Sequence, residues 1–164
     1  MSRPVLVLCL GQRLRGDDAV GLSVASELRE RVADVARVES REHAIWEVIE
    51  GGLDARLVVI VDAAEPVAGL PPGACQRIRF PQEADRLEPQ HLRDTHSLSV
   101  ESLLKLANRL QRLPPEVWIY AVTGSAFEFG APLSAPVLNA APQVARQVAD
   151  DIRGWLNTQA VQHA

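Results

Sequence analysis

Short runs of consecutive apolar residues alternate along the chain with longer stretches in which apolar residues recur every three or four positions. The clearest runs cover residues 5–10, 57–61 and 117–122. Apolar runs of this length, bounded by glycine or polar residues and rich in β-branched side chains, are typical of strands that are buried on both faces. The pattern predicts three strands of a largely parallel sheet.

Helical spacing follows these strands. After the first strand, one apolar residue recurs at every fourth position: Val20, Val24, Leu28 and Val32. This spacing predicts an amphipathic helix over residues 18–32. Ser99 and Ser134 are suitable N-caps for two further helices, and Pro142 predicts a kink in the last helix or a late start to it.

The remaining segments give weaker patterns. Residues 36–40 and 75–80 fit short strands, and the alternation of 75–80 is typical of an edge strand. Residues 45–50 fit a helix, and residues 81–95 form a long polar loop. The order of elements predicts an α/β fold: a single domain over residues 1–164, with a twisted, mostly parallel sheet of about five strands and helices on both faces.

Composition narrows the classes of partner. The 164 residues are 47% hydrophobic, enough for one substantial core. A net charge of -4 argues against nucleic acid and against an anionic membrane, and no apolar segment reaches the length of a membrane span. The two cysteines lie in apolar or strand-like stretches and predict reduced, buried thiols. We therefore expect a soluble, cytoplasmic protein with a small-molecule or protein partner.

The loop after the first strand has the glycine spacing of a phosphate-binding loop, from Gly11 to Gly16. Asp17 and Asp18 stand where that loop needs Lys and Ser or Thr, so a nucleotide is disfavoured. The sequence also lacks a G-x-S-x-G nucleophile elbow and an H-E-x-x-H helix. Asp17 is then the expected N-cap of the following helix, which leaves Asp18 available as a ligand.

Ligands of open parallel sheets bind beyond the carboxyl ends of the strands. Asp18 follows the first strand, Asp62 ends the long apolar strand, and His96 precedes the helix that begins near Ser99; Glu128 follows the last strand. The first three could together hold a transition metal. Each also has a simpler interpretation: Asp18 as a helix cap, Asp62 as a carboxylate bound by a loop amide, and His96 as an exposed loop histidine.

Four stretches, in this order, resemble the hydrogenase maturation endopeptidases. LGQRLRGDDAVG at residues 10–21 is similar to the family signature L-G-N-x-L-x-G-D-(D/E)-x-(V/I)-G. The others are VIVDAA at 59–64, THSLS at 95–99 and FEFGAPLS at 127–134. Gln12 replaces the usual Asn, and Arg41, Glu42 and His43 stand where many members have Gly-Gly-Thr.

The resemblance implies an endopeptidase that removes the C-terminal extension of a nickel-loaded [NiFe]-hydrogenase large-subunit precursor. It implies that Asp18, Asp62 and His96 contact nickel, which the precursor supplies as a recognition mark. Because no nucleophile stands out, we expect direct attack by water, with a carboxylate near the metal as the base. The alternative is a metal-dependent binding or chaperone module that inspects the metal site without cutting. A nucleoside- or phosphate-handling enzyme is a third, disfavoured possibility.

Overall fold

A five-stranded sheet forms the centre of the described part of the chain, which in this computed structural model is residues 3–42, 46, 54–87 and 99–164. The strand order is β2-β1-β3-β5-β4. The strands are β1 (Val5–Leu10), β2 (Ala36–Arg41), β3 (Leu57–Ala64), β4 (Cys75–Phe80) and β5 (Glu116–Thr123). All neighbours are parallel except β4, which pairs antiparallel with β5 at one edge. The predicted α/β class and the edge position of residues 75–80 are confirmed.

Helices cover both faces of the sheet, as predicted. They are α1 (Val20–Arg31), α2 (Ala84–Leu87), α3 (Val100–Arg109) and α4 (Ala135–Gln162), with a 3-10 turn at Gly16–Ala19 before α1. One apolar layer joins α1 and α4 to the face of the sheet that carries Val7 and Val59. The other joins α2 and α3 to the face that carries Leu8 and Ile60. No described helix has the length and apolar character needed to cross a membrane.

One predicted boundary was wrong, and one of the two alternatives for the last helix is excluded. β3 does not end at Asp62 but continues to Ala64, because residues 62–64 still pair with β5 after the pairing with β1 has stopped at Val61. The last helix does not start late, because α4 begins at Ala135 and passes through Pro142. Val137 and Ala141, in the part of α4 that precedes Pro142, are buried against the core. Their burial offsets the loss of the hydrogen bond that Pro142 cannot donate. The predicted loop at 81–95 was wrong in part, because residues 84–87 form α2, which buries Leu87 against the sheet. The end of this loop and most of the predicted helix at 45–50 lie outside the described residues.

Candidate functional site

Asp18 lies in the 3-10 turn between β1 and α1, at the carboxyl edge of the sheet. Its side chain is fully buried, and the turn contacts β3. The backbone N–H of Gln12 donates to its Oδ2 at 2.8 Å. The carboxylate is therefore held by the same loop that leaves the end of β1.

Two glycines allow this loop to pack so closely. Gly16 has a φ of 56°, in the left-handed region, and a Cβ there would overlap the carbonyl oxygen of Ala126. Gly21, in the first turn of α1, lies against the ends of β1 and β3. A Cβ on Gly21 would overlap the Leu10 carbonyl oxygen and lie 3.0 Å from that of Val61. The start of α1 is thus pressed against the carboxyl ends of two central strands.

Asp62 lies near the carboxyl end of β3 and is only 3% exposed. Its Oδ1 accepts a hydrogen bond from the N–H of Ala63 at 2.9 Å. Side chains alternate along a strand, so Asp62 shares the face of Ile60 and Ala64, which is the face covered by α3. The simpler interpretation of Asp62 expected a loop amide, whereas this donor is the next residue of the same strand.

His96, the third predicted ligand, lies outside the described residues, as do His43 and His91. The described chain resumes at Ser99, whose hydroxyl accepts a hydrogen bond from the N–H of Ser102 at 3.1 Å and so confirms the predicted N-cap of α3. A short connection leads from the end of α3 to the start of β5, at the amino edge of the sheet. Since α3 is about 15 Å long, its N-terminus lies towards the carboxyl edge, on the face that carries Asp62. Within residues 3–42, 46, 54–87 and 99–164, no three His, Cys, Asp or Glu side chains are arranged to hold a metal ion.

Asp17 is not the N-cap of α1, so this prediction was wrong. The residue before α1 is Ala19, and no side chain caps that end. The Asp17 carboxylate instead accepts backbone hydrogen bonds from Ser125 at 2.8 Å, Ala126 at 3.0 Å and Ser134 at 2.7 Å. The Ser134 hydroxyl also donates to it at 2.9 Å, so Ser134 precedes α4 without capping it through its own side chain.

These hydrogen bonds determine the charge of Asp17. Burial alone would raise the pKa of its carboxyl group, because it disfavours the charged form. The N–H groups of Ser125, Ser134 and Ala126 and the Ser134 hydroxyl outweigh this effect and lower the pKa below its ordinary value. Asp17 is therefore a charged group that ties the β1–α1 loop to the β5–α4 loop.

The comparisons with known proteins agree on one family. The family described as "HycI: Hydrogenase maturation protease" matches residues 22–151. The chain belongs to the hydrogenase maturation protease family. It is thus a hydrolase of the endopeptidase class, and the resemblance seen in the sequence is confirmed.

Solved structures of this protease family share the fold. The [NiFe] hydrogenase maturation protease HybD from Thermococcus kodakarensis is 25% identical, with a TM-score of 0.67 over 92% of this chain and 99% of that one. The maturating endopeptidase HybD from E. coli is 20% identical, with a TM-score of 0.72 over 93% of each chain. At that identity the second likeness shows the fold alone. None of the curated proteins matches the sequence.

The loop after β5 brings two more groups to this edge of the protease. Gly130 donates its N–H to the Leu14 carbonyl oxygen at 2.7 Å, which joins the β5–α4 loop to the β1–α1 loop. Glu128 lies in that loop with an exposed side chain. Thr123, at the end of β5, is buried, and its hydroxyl has no hydrogen-bond partner among the described residues. A threonine in a strand is ordinary in sequence, so no pattern marked this one.

Neither cysteine of the protease is in an environment that favours a nucleophilic thiolate. Cys9 is fully buried in β1, and burial raises the pKa of its thiol to about 12 against the opposing effect of Arg29. Burial and the negative charge of Asp151 raise the pKa of Cys75 to about 12 as well. Both are free thiols, as predicted, although Cys75 is only partly buried. A cysteine-protease mechanism needs a thiolate, which these environments disfavour.

Proposed function

We propose that this protease removes a C-terminal extension from the precursor of a [NiFe]-hydrogenase large subunit after nickel has been inserted. The nickel belongs to the substrate and marks a completed metal site. Asp18, Asp62 and His96 are the residues that would contact it. Free thiols are typical of reducing compartments, so we assign the reaction to the cytoplasm.

The observation that carries this proposal is a pair of buried carboxylates at one edge of the sheet. Asp18 and Asp62 come from adjoining elements, and neither is more than 3% exposed. Burying carboxylates is costly unless charge or hydrogen bonds compensate, and a divalent cation brought by the substrate would supply that charge. Carboxylate oxygens with one imidazole nitrogen form a donor set that first-row transition metals accept.

The proposed reaction is peptide hydrolysis by water. A water molecule adds its oxygen to the scissile carbonyl carbon while a carboxylate of the site accepts its proton. The C–N bond then breaks, the amine leaves with a proton, and the new C-terminus is a carboxylate. A nearby metal ion can polarise the carbonyl or lower the pKa of the water. Trapping of a covalent acyl-enzyme would contradict this route.

The test uses the purified protease and the nickel-loaded precursor of a large subunit from the same organism. We expect intact-mass spectrometry to show loss of a C-terminal fragment. Asp62→Asn and His96→Ala should each slow this loss by about a hundredfold or more, because each removes a group that contacts the reacting centre. Asp150→Asn is the matched control, since Asp150 is exposed on α4. This variant should cleave the precursor at the wild-type rate.

Two results would count against the proposal. An unchanged precursor mass in the presence of inserted nickel would contradict cleavage. If the protein then still bound the nickel-loaded precursor and not the nickel-free one, the alternative of a binding or chaperone module would replace it. Equal cleavage by wild type and Asp62→Asn would remove Asp62 from the site.

A further inference from the structure

A groove of about 450 Å³ lies beside the candidate site, between the β1–α1 loop, α1, the end of β2 and Leu133, just before α4. Its wall on α1 includes residues spaced so that they share one helix face. The residues that matter for its chemistry are Arg13, Ala19, Ser23, Ser26, Arg29 and Ser40. Two arginines and three serines thus line the groove beside Leu22 and Leu133, and arginine and serine side chains carry hydrogen-bond donors suited to an anion.

The two arginines of the groove differ from those arginines of the described chain that pair with carboxylates. Elsewhere, guanidinium groups pair with carboxylates, as Arg79 does with Glu116 and Arg153 with Asp34. Among the described residues, neither Arg13 nor Arg29 forms an ion pair. Arg29 donates from Nη2 to the hydroxyl of Ser40 at 2.8 Å, which fixes its position without neutralising its charge.

One carboxylate lies near the mouth of the groove. Glu42 accepts a hydrogen bond from the backbone N–H of Arg13 at 3.2 Å, through its Oε1. This contact holds the backbone of the loop, and it does not involve the guanidinium group of Arg13. The chain as a whole has a net charge of -4, whereas the two arginines give this groove a local positive charge.

The groove opens at the same edge of the sheet as the candidate site. Ser40 lies opposite Cys9 in the register of β2 and β1, one residue before both strands end. The Arg29 guanidinium, bonded to Ser40, is therefore close to the carboxyl edge. Ala19 lines the groove and directly follows Asp18. A peptide chain bound at Asp18 could continue into the groove without crossing another element.

We propose that this groove binds a carboxylate of the substrate peptide, next to the bond that is cut. The proposal rests on the proposed function, because it takes the occupant to be the C-terminal extension of the precursor. That carboxylate is either the chain terminus of the extension or an acidic side chain within it. Arg13 and Arg29 then determine which precursors dock, while Asp18, Asp62 and His96 remain the reacting centre.

The test measures binding of three fluorescent tetrapeptides at low ionic strength by anisotropy. Tetraalanine with a free C-terminus carries only a terminal carboxylate, tetraglutamate amide carries only side-chain carboxylates, and tetraalanine amide carries neither. We expect one or both charged peptides to bind with a Kd of about 1 mM or tighter, and the neutral peptide not to bind. Which one binds identifies the source of the carboxylate.

Variants assign the binding to the groove. Arg13→Gln and Arg29→Gln should each weaken the charged peptide about tenfold, because each removes a charge-assisted contact. Arg146→Gln is the control, since Arg146 is exposed on α4 and does not line the groove. This variant should bind the charged peptides like wild type. With the precursor, the two groove variants should raise KM and leave kcat unchanged.

Failure of this proposal is distinct from failure of the proposed function. Normal cleavage by the wild type, together with charged-peptide binding that neither groove variant weakens, would overturn the groove and leave the function standing. Equal binding of neutral and charged peptides would do the same. If the wild type does not cut the precursor, the function fails, and charged-peptide binding lost in Arg29→Gln would still support a carboxylate site.

Discussion

Asp17 and Asp18 are adjacent in the chain and both fully buried, yet their carboxylates contact different groups. Asp17 accepts hydrogen bonds from three backbone N–H groups and two hydroxyl groups, all supplied by Ser125, Ala126 and Ser134 of the β5–α4 loop. Asp18 accepts an N–H from its own loop, through Gln12. Asp17 therefore ties two loops together, whereas the Gln12 bond of Asp18 stays within one loop.

Replacing Asp17 tests its structural role. Asp17→Asn should lower the free energy of unfolding by about 2–3 kcal/mol, because it removes a charged acceptor from buried N–H groups and turns an amide NH₂ towards them. Urea unfolding followed by circular dichroism measures the change. Asp150→Asn should unfold like wild type, and a loss below about 0.5 kcal/mol in Asp17→Asn would contradict this role.

The lowered pKa of Asp17 also predicts a dependence on pH. A carboxyl group whose pKa is lower in the folded state contributes stability above its unfolded pKa and loses it as the pH falls through the folded value. The difference in unfolding free energy between wild type and Asp17→Asn should be constant above about pH 5 and shrink below about pH 4. Urea titrations across that range measure it, and a difference that grows on acidification would have the wrong sign.

Local sequence rules could not find the partners of Asp17. An aspartate just before a helical pattern predicts an N-cap, since that rule considers only the next few residues. The actual donors are as far as 117 positions away, at Ser134. The rule for strand ends in parallel sheets identifies an edge rather than a contact, and Asp18 and Asp62 both lie near that edge. Their role as ligands stays a prediction.

At the scale of elements, two helical glycines have opposite roles. Gly21 packs against the Leu10 carbonyl oxygen, whereas an added Cβ on Gly154 in α4 would meet nothing within 4 Å. Gly154→Ala should stabilise the protein by about 0.5–1 kcal/mol, through helix propensity. Gly21→Ala should destabilise it by about 1–3 kcal/mol despite the same propensity gain, because α1 must move off the sheet. Thermal unfolding of the pair checks this, and equal shifts would contradict the close packing of α1.

Most elements of the described chain could be predicted because their signals are local. The apolar runs became β1, β3 and β5, and Ser99 caps α3. The errors came from tertiary structure: pairing with β5 extends β3 past the charge of Asp62, and packing keeps α4 helical through Pro142. The strand order could not be read from the sequence, since it depends on which strands meet after folding.

At the scale of the whole molecule, the two thiols report on opening of the sheet. Both have pKa values raised to about 12, so hardly any thiolate exists at pH 8 in the folded protein. We expect Ellman's reagent to react negligibly with the native protein. In strong denaturant it should react with both thiols. Cys9 lies in a central strand, so its rate should follow global unfolding. Rapid labelling of Cys9 in the native state would show that β1 opens independently.

The contacts of Asp17 also set an order for biosynthesis. The turn that carries Asp17 and Asp18 leaves the ribosome before its anchoring donors at Ser125, Ala126 and Ser134, which follow Asp17 by 108 to 117 residues. Domains complete such long-range contacts only when the distant segment has emerged. A nascent chain that ends before Ser134 therefore lacks the two hydrogen bonds that Ser134 donates to Asp17, and one that ends before Ser125 lacks all of these donors.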